Sequence, residues 1–293
     1  MQDGGPIGTF LLGMGAQKAG TSWLHTYFRS VPEFSLGFQK EYHIFDALCR
    51  EEFPGRYQAT LREAAALLAS GDLRDRKKNK VIKRAAFLAD IESYYDYYEY
   101  LLLKRGGGAI TTDMTPSHSA LPVDALTRIK TSLEQRRIKV KVIFLMRDPV
   151  ERCLSALRMA RRDGTLRQEV VAQASEEAQL LKMYMTDIYR LRTNYHETIQ
   201  RIEQVFAPED VLYGFYETLF DPAFIRQVAD FLGFAYIPPK LDEKVNASAR
   251  EGGLGDAART EVAHFYRDVY RFCRERFGPE LIGQLWPNDR FVS

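Results

Sequence analysis

Residues 15–24 read GAQKAGTSWL: two glycines, one lysine and two hydroxyls between a short apolar run, TFLLGM (9–14), and a stretch of helical periodicity. That composition suits an anion. A phosphate needs several donors converging on it, and a glycine-rich turn running into a helix offers backbone N–H groups and the positive end of the helix dipole. Gly15 and Gly20 permit the tight path, Gln17, Lys18 and Ala19 form its rim, and Thr21 and Ser22 stand where a hydroxyl caps the helix or holds a phosphate. Trp23, Leu24, Tyr27 and Phe28 then fall on one helical face. The spacing departs from G-x-x-x-x-G-K-[ST], because Thr21 follows the second glycine and the lysine stands two positions before it. In that motif the post-glycine lysine reaches the outer phosphates and a hydroxyl holds magnesium. Lys18 lies inside the loop, so one phosphate bearing a further anionic group, without a metal, is the expected ligand. As ordinary structure, the same residues make a strand-to-helix turn.

A second constellation lies in VKVIFLMRDPVERCLSALRMARR (140–162). Asp148 as N-cap, Pro149 at the first helical position and Glu151 at the third make an acidic version of the capping box. Arg147 stands just before that helix. Ser155, seven residues beyond Asp148, returns to the same face roughly 10 Å along the axis, so both can reach one anion. Taken alone, Arg147 reads as an ion-pair partner and Ser155 as a packing residue. Beside the first loop, two anion sites at adjacent strand ends suit a nucleotide with phosphates at both its 5′ and 3′ positions.

The elements that must hold these residues follow from hydrophobic patterning. Apolar runs at 9–14, 108–114, 140–146 and 210–216 read as buried strands, with 33–38 as a shorter fifth. Helical stretches fall at 22–30, 56–70, 90–105, 122–136, 149–162, 169–206 (one or two helices), 222–232 and 258–277. Strands alternating with helices predict an α/β fold, a P-loop-like three-layer α/β/α arrangement with a central parallel sheet. Ligands of such sheets bind beyond the carboxyl ends of the strands, where both constellations lie. Residues 1–293 are expected to form one domain, with 47–105 as a helical insertion that shapes a ligand cleft. Its five-tyrosine stretch SYYDYYEYLLL (93–103) reads as core in preference to a sugar-stacking surface. The basic run LRDRKKNKVIKR (73–84) reads as a solvated face.

Composition bounds the answer loosely. With 45% hydrophobic and 27% charged residues the chain is globular and not disordered. A net charge of +2 gives no reason to expect nucleic acid as a partner. The three cysteines are too far apart for a zinc site or a disulfide framework. The start MQDGGPIGTFLLGMG lacks the marks of a signal peptide, and no apolar run is long enough to span a bilayer, so a cytoplasmic location without membrane insertion is expected.

These residues resemble the sulfotransferases that use 3′-phosphoadenosine 5′-phosphosulfate (PAPS), in particular the heparan sulfate branch and its bacterial relatives. QKAGTSWL looks like the loop that binds the 5′-phosphosulfate, and RDPVERCLSA like the 3′-phosphate element, with Arg147 and Ser155 at the matching places. KEYHIFD (40–46) resembles the segment carrying the catalytic glutamate, here Glu41, with His43 and Asp46 behind it. FYETLF (215–220) and KVNASAR (244–250) look like later landmarks, the second adding Arg250 as a cofactor contact. Met114 in TTDMTPS departs from the branch, whose members often carry lysine there.

By that resemblance the chain is expected to move a sulfuryl group from PAPS to an acceptor hydroxyl, leaving 3′-phosphoadenosine 5′-phosphate (PAP), with no metal. Lys18 would neutralise the leaving phosphate, and Glu41 would take the acceptor proton. His43 is the alternative base, because its ordinary pKa is near neutrality; on an extended segment it would share a face with Glu41. Asp46 would orient His43. The expected acceptor is a carbohydrate or glycolipid hydroxyl, with a small alcohol, phenol or polyketide-like molecule close behind. Two rival readings stay open: a P-loop kinase, which needs magnesium and ATP, and a PAP-binding protein without turnover. The oligomeric state is not legible.

Overall fold

The structure is a computed structural model that describes residues 4–49, 54–71, 75–172, 175–240 and 253–292. Four strands, β1 (Gly8–Gly13), β2 (Ile110–Asp113), β3 (Ile138–Met146) and β4 (Val211–Phe215), form one parallel sheet in the order β2-β1-β3-β4. Their apolar runs are continuous because helices cover both faces of the sheet. Leu12 pairs with Asp113 on one side and Val142 on the other, and Met146 pairs with Phe215, so the loops after the strands open on one edge.

The first half of the chain adds α1 (Thr21–Phe28), α2 (Phe45–Cys49), α3 (Pro54–Ser70), α4 (Arg76–Ala89), α5 (Ile91–Leu103), α6 (Val123–Gln135) and α7 (Pro149–Arg162). The second adds α8 (Gln168–Val171), α9 (Glu176–Met183), α10 (Asp187–Arg190), α11 (Tyr195–Val205), α12 (Pro222–Leu232), α13 (Asp256–Phe265), α14 (Arg267–Phe277) and α15 (Pro279–Leu285). This is the expected three-layer α/β/α fold. No helix among the described residues is long and apolar enough to cross a membrane, and no disulfide joins the three cysteines.

Three elements differ from the sequence reading. The run 33–38 makes a single parallel bridge, Phe34 to Ile110; Phe34 then turns inward to stack on Phe28 at 4.1 Å, ending the ladder. The stretch 169–206 breaks into α8 to α11. Ser175 caps α9 by accepting from Ala178 N, and the Thr186 hydroxyl donates back to Met183 O, so hydroxyls compete with the helical ladder at the breaks. The stretch 258–277 divides at Tyr266 into α13 and α14. The tyrosine-rich helix is core, as expected: Tyr94, Tyr95 and Tyr98 of α5 are buried, and Tyr98 meets Phe10 of β1 edge-on at 4.6 Å.

One buried carboxylate ties the start of α7 to the C-terminal helices. Asp148 accepts from Val150 N at 2.9 Å and Glu151 N at 3.2 Å, as its capping role requires. It also accepts from Tyr270 Oη at 3.1 Å, Asn288 N at 3.0 Å and Asn288 Nδ2 at 3.0 Å. Burial pushes its pKa up, so these donors are what keep it tolerable in the core. Loss of an ordinary cap costs about 1 kcal/mol, but Asp148→Ala would also strand buried donors on α14 and at Asn288. Its expected cost is about 3 kcal/mol or more, read as a shift in the denaturant midpoint.

Candidate active site

The loop after β1 first prolongs the sheet. Met14 N donates to Ile143 O at 2.9 Å, Leu145 N to Gly15 O at 2.9 Å and Ala16 N to Leu145 O at 2.6 Å. Only then does it turn. Gly15 has φ +92°, and a Cβ there would lie 2.9 Å from Pro116 O; Gly20 has φ +88°, and a Cβ there would run into Leu219. Gly20 is the N-cap of α1 and Thr21 its first residue, so Thr21 and Ser22 do not cap the helix. Lys18 sits at φ +72°, where a side chain costs about 1–2 kcal/mol.

The sequence-predicted donors divide cleanly. Ala19 N donates to Ala16 O at 3.1 Å, so Ala19 offers a ligand no N–H. The N–H groups of Gln17, Lys18, Gly20, Thr21 and Ser22 donate to no protein acceptor among the described residues. The Trp23 ring is buried in packing, stacked on Tyr27 at 6.2 Å and edge-on to Phe220 at 5.0 Å. Burial, then the charges of Arg162 and Arg147, lower the pKa of Lys18. Free N–H groups on the loop that carries a cation repelled by its neighbours suit an anion.

The second part of the site is a chain of charges. Lys40 Nζ donates to Thr21 Oγ1 at 3.1 Å, to Ser22 Oγ at 2.7 Å and to Glu41 Oε1 at 2.6 Å. Glu41 Oε2 lies 3.4 Å from His43 Nε2, His43 Nδ1 lies 2.9 Å from Asp46 Oδ2, and Arg56 Nη1 of α3 lies 3.5 Å from the same oxygen. Burial pushes the Glu41 carboxyl up, but hydrogen bonds from His43 and Lys40 outweigh it and hold the carboxyl at about 2. Burial lowers His43, but its bonds to Asp46 and Glu41 prevail and raise it. Asp46, fully buried, is held at about 2, burial being outweighed by the His43 bond. The segment is not a strand: His43 adopts φ +55°, and that left-handed turn, not alternation, brings Glu41 and His43 together.

Arg147 begins the third part. Its guanidinium lies over the Tyr216 ring at 4.2 Å, its Nη1 donates to Lys18 O at 3.3 Å, and its own carbonyl accepts from Tyr195 Oη. Ser155, half-buried two turns into α7, bonds to no protein group through its hydroxyl among the described residues, and no hydrogen bond joins it to Arg147. Arg250 and the segment 244–250 lie outside the described residues. Among the described residues no group of three or more His, Cys, Asp or Glu could hold a metal ion.

A family model described as the sulfotransferase domain matches residues 9–251. The chain belongs to the sulfotransferase family. In fold this sulfotransferase is similar to one from Alicyclobacillus acidocaldarius, at 20% identity and a TM-score of 0.57, over 92% of this chain and 94% of that one. Weaker likenesses include the sulfotransferase domain of the Synechococcus PCC 7002 olefin synthase (15% identity, TM-score 0.45, 88% of each chain). Another is retinol dehydratase in complex with androsterone and PAP (16% identity, TM-score 0.47, 90% of this chain and 81% of that one). A search of curated proteins returns no match.

Residues missed by sequence reasoning complete the candidate site. Lys40 is one. Arg192, between α10 and α11, donates to Gln17 Oε1 at 3.2 Å; burial, then the charges of Arg152 and Arg56, bring it down to about 10. Glu217, in the landmark FYETLF, accepts from Asp148 N at 3.1 Å, the bond a capping box would have given to Glu151, which pairs with Arg259 instead. Burial above all, with the Asp148 charge, pushes Glu217 up to about 7, against the Asp148 N–H bond and the Arg147 charge. Because that lies above the ordinary glutamate value of about 4.3, the fold keeps a proton that the unfolded chain has lost. The associated stability is complete below about pH 4 and drains away as pH rises through about 7. Glu217→Gln, neutral at every pH, is expected to cut the fall in Tm between pH 5 and 8.5 by about 3 °C; equal falls in both proteins would refute the assignment.

Proposed function

We propose that this sulfotransferase transfers the sulfuryl group of PAPS to an acceptor hydroxyl, with Glu41 as general base. The observation that carries the reading is Lys40, whose one ammonium joins the hydroxyls of the anion loop to the Glu41 carboxylate. A base must sit just beyond the anion held by the loop, and this contact supports Glu41 in that role. The same contact argues against a kinase, since the hydroxyl pair at the loop's end is engaged by an ammonium where magnesium would be needed.

The residues fit PAPS: free N–H groups for one phosphate, and a second cation, Arg147, at the next strand end. Lys18 and the N–H groups of Gln17, Gly20, Thr21 and Ser22 would hold the 5′-phosphate, and Arg147, Ser155 and Arg250 the 3′-phosphate. Trp23 supports this wall by packing, as Ala19 does through its bond to Ala16. PAPS, when bound, supplies the sulfuryl group and departs as PAP. Lys18 stabilises charge growing on the leaving phosphate. Glu41 accepts the acceptor proton at Oε2, since a carboxylate oxygen has lone pairs beyond the one facing His43. His43, held by Asp46, keeps that oxygen oriented; because both carboxylates favour its protonated form, it would act as the alternative base only when neutral. No step calls for a metal.

On the acceptor side, α3 and α4 of the 47–105 region would shape the cleft within a single domain spanning 1–293, because Arg56 of α3 reaches Asp46. The likeness of KEYHIFD to the heparan sulfate branch favours a carbohydrate or glycolipid hydroxyl. The chain is read as a cytoplasmic enzyme without a nucleic-acid partner.

A ligand of the native state raises Tm by mass action, so PAP is expected to raise Tm by several degrees while ATP with magnesium does not; the reverse would sink the reading in favour of a kinase. Turnover is to be followed with labelled PAPS against a panel of octyl glycosides, primary alcohols and phenols. Glu41→Gln is expected to lose at least about 100-fold in kcat with PAP affinity within about twofold of the parent, and retained turnover would move the base elsewhere. PAP binding with no turnover on any acceptor, and no effect of Glu41→Gln, would favour a non-catalytic sensor.

A further inference from the structure

We propose that Thr115 is a positioning residue for sulfuryl transfer: its hydroxyl, oriented by Asp113, fixes the backbone of residues 40–43 and so aims Glu41 and His43. The inference rests on the reading of Glu41 and His43 as the reacting pair. Nothing in the sequence singles Thr115 out for this, since TTDMTPS drew notice only for Met114.

Residues 39–44 belong to no helix or strand, so no regular ladder holds them. They are held by the end of β2 and by Arg84 of α4, whose Nε donates to Tyr42 O at 2.8 Å. Met114 N donates to Lys40 O at 3.0 Å. Thr115 Oγ1 accepts from Tyr42 N at 2.9 Å and from His43 N at 3.3 Å, while its own proton goes to Asp113 Oδ1 at 2.6 Å. Asp113 Oδ1 also accepts from Thr115 N at 3.0 Å, and Asp113 Oδ2 accepts from Tyr94 Oη at 2.9 Å, so the aspartate cannot swing away. Asp113, Thr115 and Tyr94 are fully buried.

Direction matters in this chain of bonds. A hydroxyl has one proton and two lone pairs. Asp113 takes the proton, which leaves both lone pairs facing the two N–H groups of residues 42 and 43. Those two peptides flank Tyr42 and lead directly into His43, which adopts a left-handed φ of +55°. Such a conformation in a non-glycine residue persists only where its surroundings over-determine it. Pro116 confines Thr115 to the extended region, here φ −72° and ψ 113°, so the hydroxyl is presented from a fixed backbone. Met114 contributes through its N–H, which its side chain does not affect; the lysine of the resembling branch is not needed for this support.

The test compares Thr115→Val, which is nearly isosteric but has no acceptor, with Thr115→Ser, which keeps one. With the fastest acceptor of the panel above, Thr115→Val is expected to lose at least tenfold in kcat, with KM for PAPS and Kd for PAP within twofold of the parent. Thr115→Ser is expected to recover kcat to within about threefold. A role confined to stability would lower Tm in Thr115→Val but leave kcat of the folded enzyme intact, and that outcome overturns the proposal. If Thr115→Val does not fold, Thr115→Ala, which lets water reach the two N–H groups, carries the same comparison. Glu41→Gln run in parallel separates the two ideas: an active Glu41→Gln defeats the base assignment, whereas an inactive Glu41→Gln beside a fully active Thr115→Val defeats only the role of Thr115.

Discussion

Positive charge is gathered at one edge of the sheet, and the rest of the site is arranged around that constraint. Lys18 is depressed by burial and by Arg162 and Arg147, and Arg192 by burial and by Arg152 and Arg56. Acids within reach are engaged elsewhere: Glu41 and Asp46 by Lys40, His43 and Arg56, and Asp163, which acts on Lys18, by Arg162. Like charges held this way repel one another in a poorly screened environment, and the backbone at Lys18 is itself in a costly region. In the proposed function, an anion with several negative groups would relieve that repulsion, and part of its binding free energy would be stored in the unliganded protein.

The two sides of the site are fastened by different means. Lys18 and Arg147 are continuous with β1 and β3, and the loop 14–16 is laced to β3 by three hydrogen bonds before it turns. Their positions are therefore as rigid as the sheet. The segment 40–43 has no such ladder and is held by Thr115 with Asp113, by Arg84 on the Tyr42 carbonyl and by the Lys40 contact with α1. In the proposed function, a nucleotide side built on the sheet with a separately supported base segment would let the acceptor side vary without disturbing the anion cradle.

What could be read from sequence was local. The glycine spacing of 15–20, the cap at Asp148 and the four apolar runs each depend on residues a few positions apart, and the structure has them where patterning put them. The residues that escaped notice act across long separations. Lys40 reaches hydroxyls 18 and 19 residues back, Glu217 reaches a peptide 69 residues away, and Arg192 reaches Gln17 across 175 residues. None belongs to a spacing rule, because the sheet topology brings them together. The broken helices of 169–206 failed for the opposite reason: hydrophobic periodicity runs on, while hydroxyls at the breaks bond the backbone locally and end each turn. Alternation likewise suggested a shared face for Glu41 and His43, yet it is a left-handed turn that joins them.

A carboxylate held at about 2 looks too weak to serve as a base. Sulfuryl transfer, by analogy with phosphoryl transfer through a loose transition state, places little demand on the nucleophile's proton early in the reaction. As the new S–O bond forms, the acceptor oxygen becomes strongly acidic, and a weak base suffices to take its proton late. The low value then has a benefit. Glu41 stays ionised at every physiological pH, and its neighbours, Lys40 and a His43 whose protonated form is favoured, disperse its charge before an anionic donor arrives. In the proposed transfer, a free glutamate of ordinary basicity beside a phosphosulfate would be repelled or protonated; Glu41, neutralised by its partners, would still keep a lone pair for the acceptor proton.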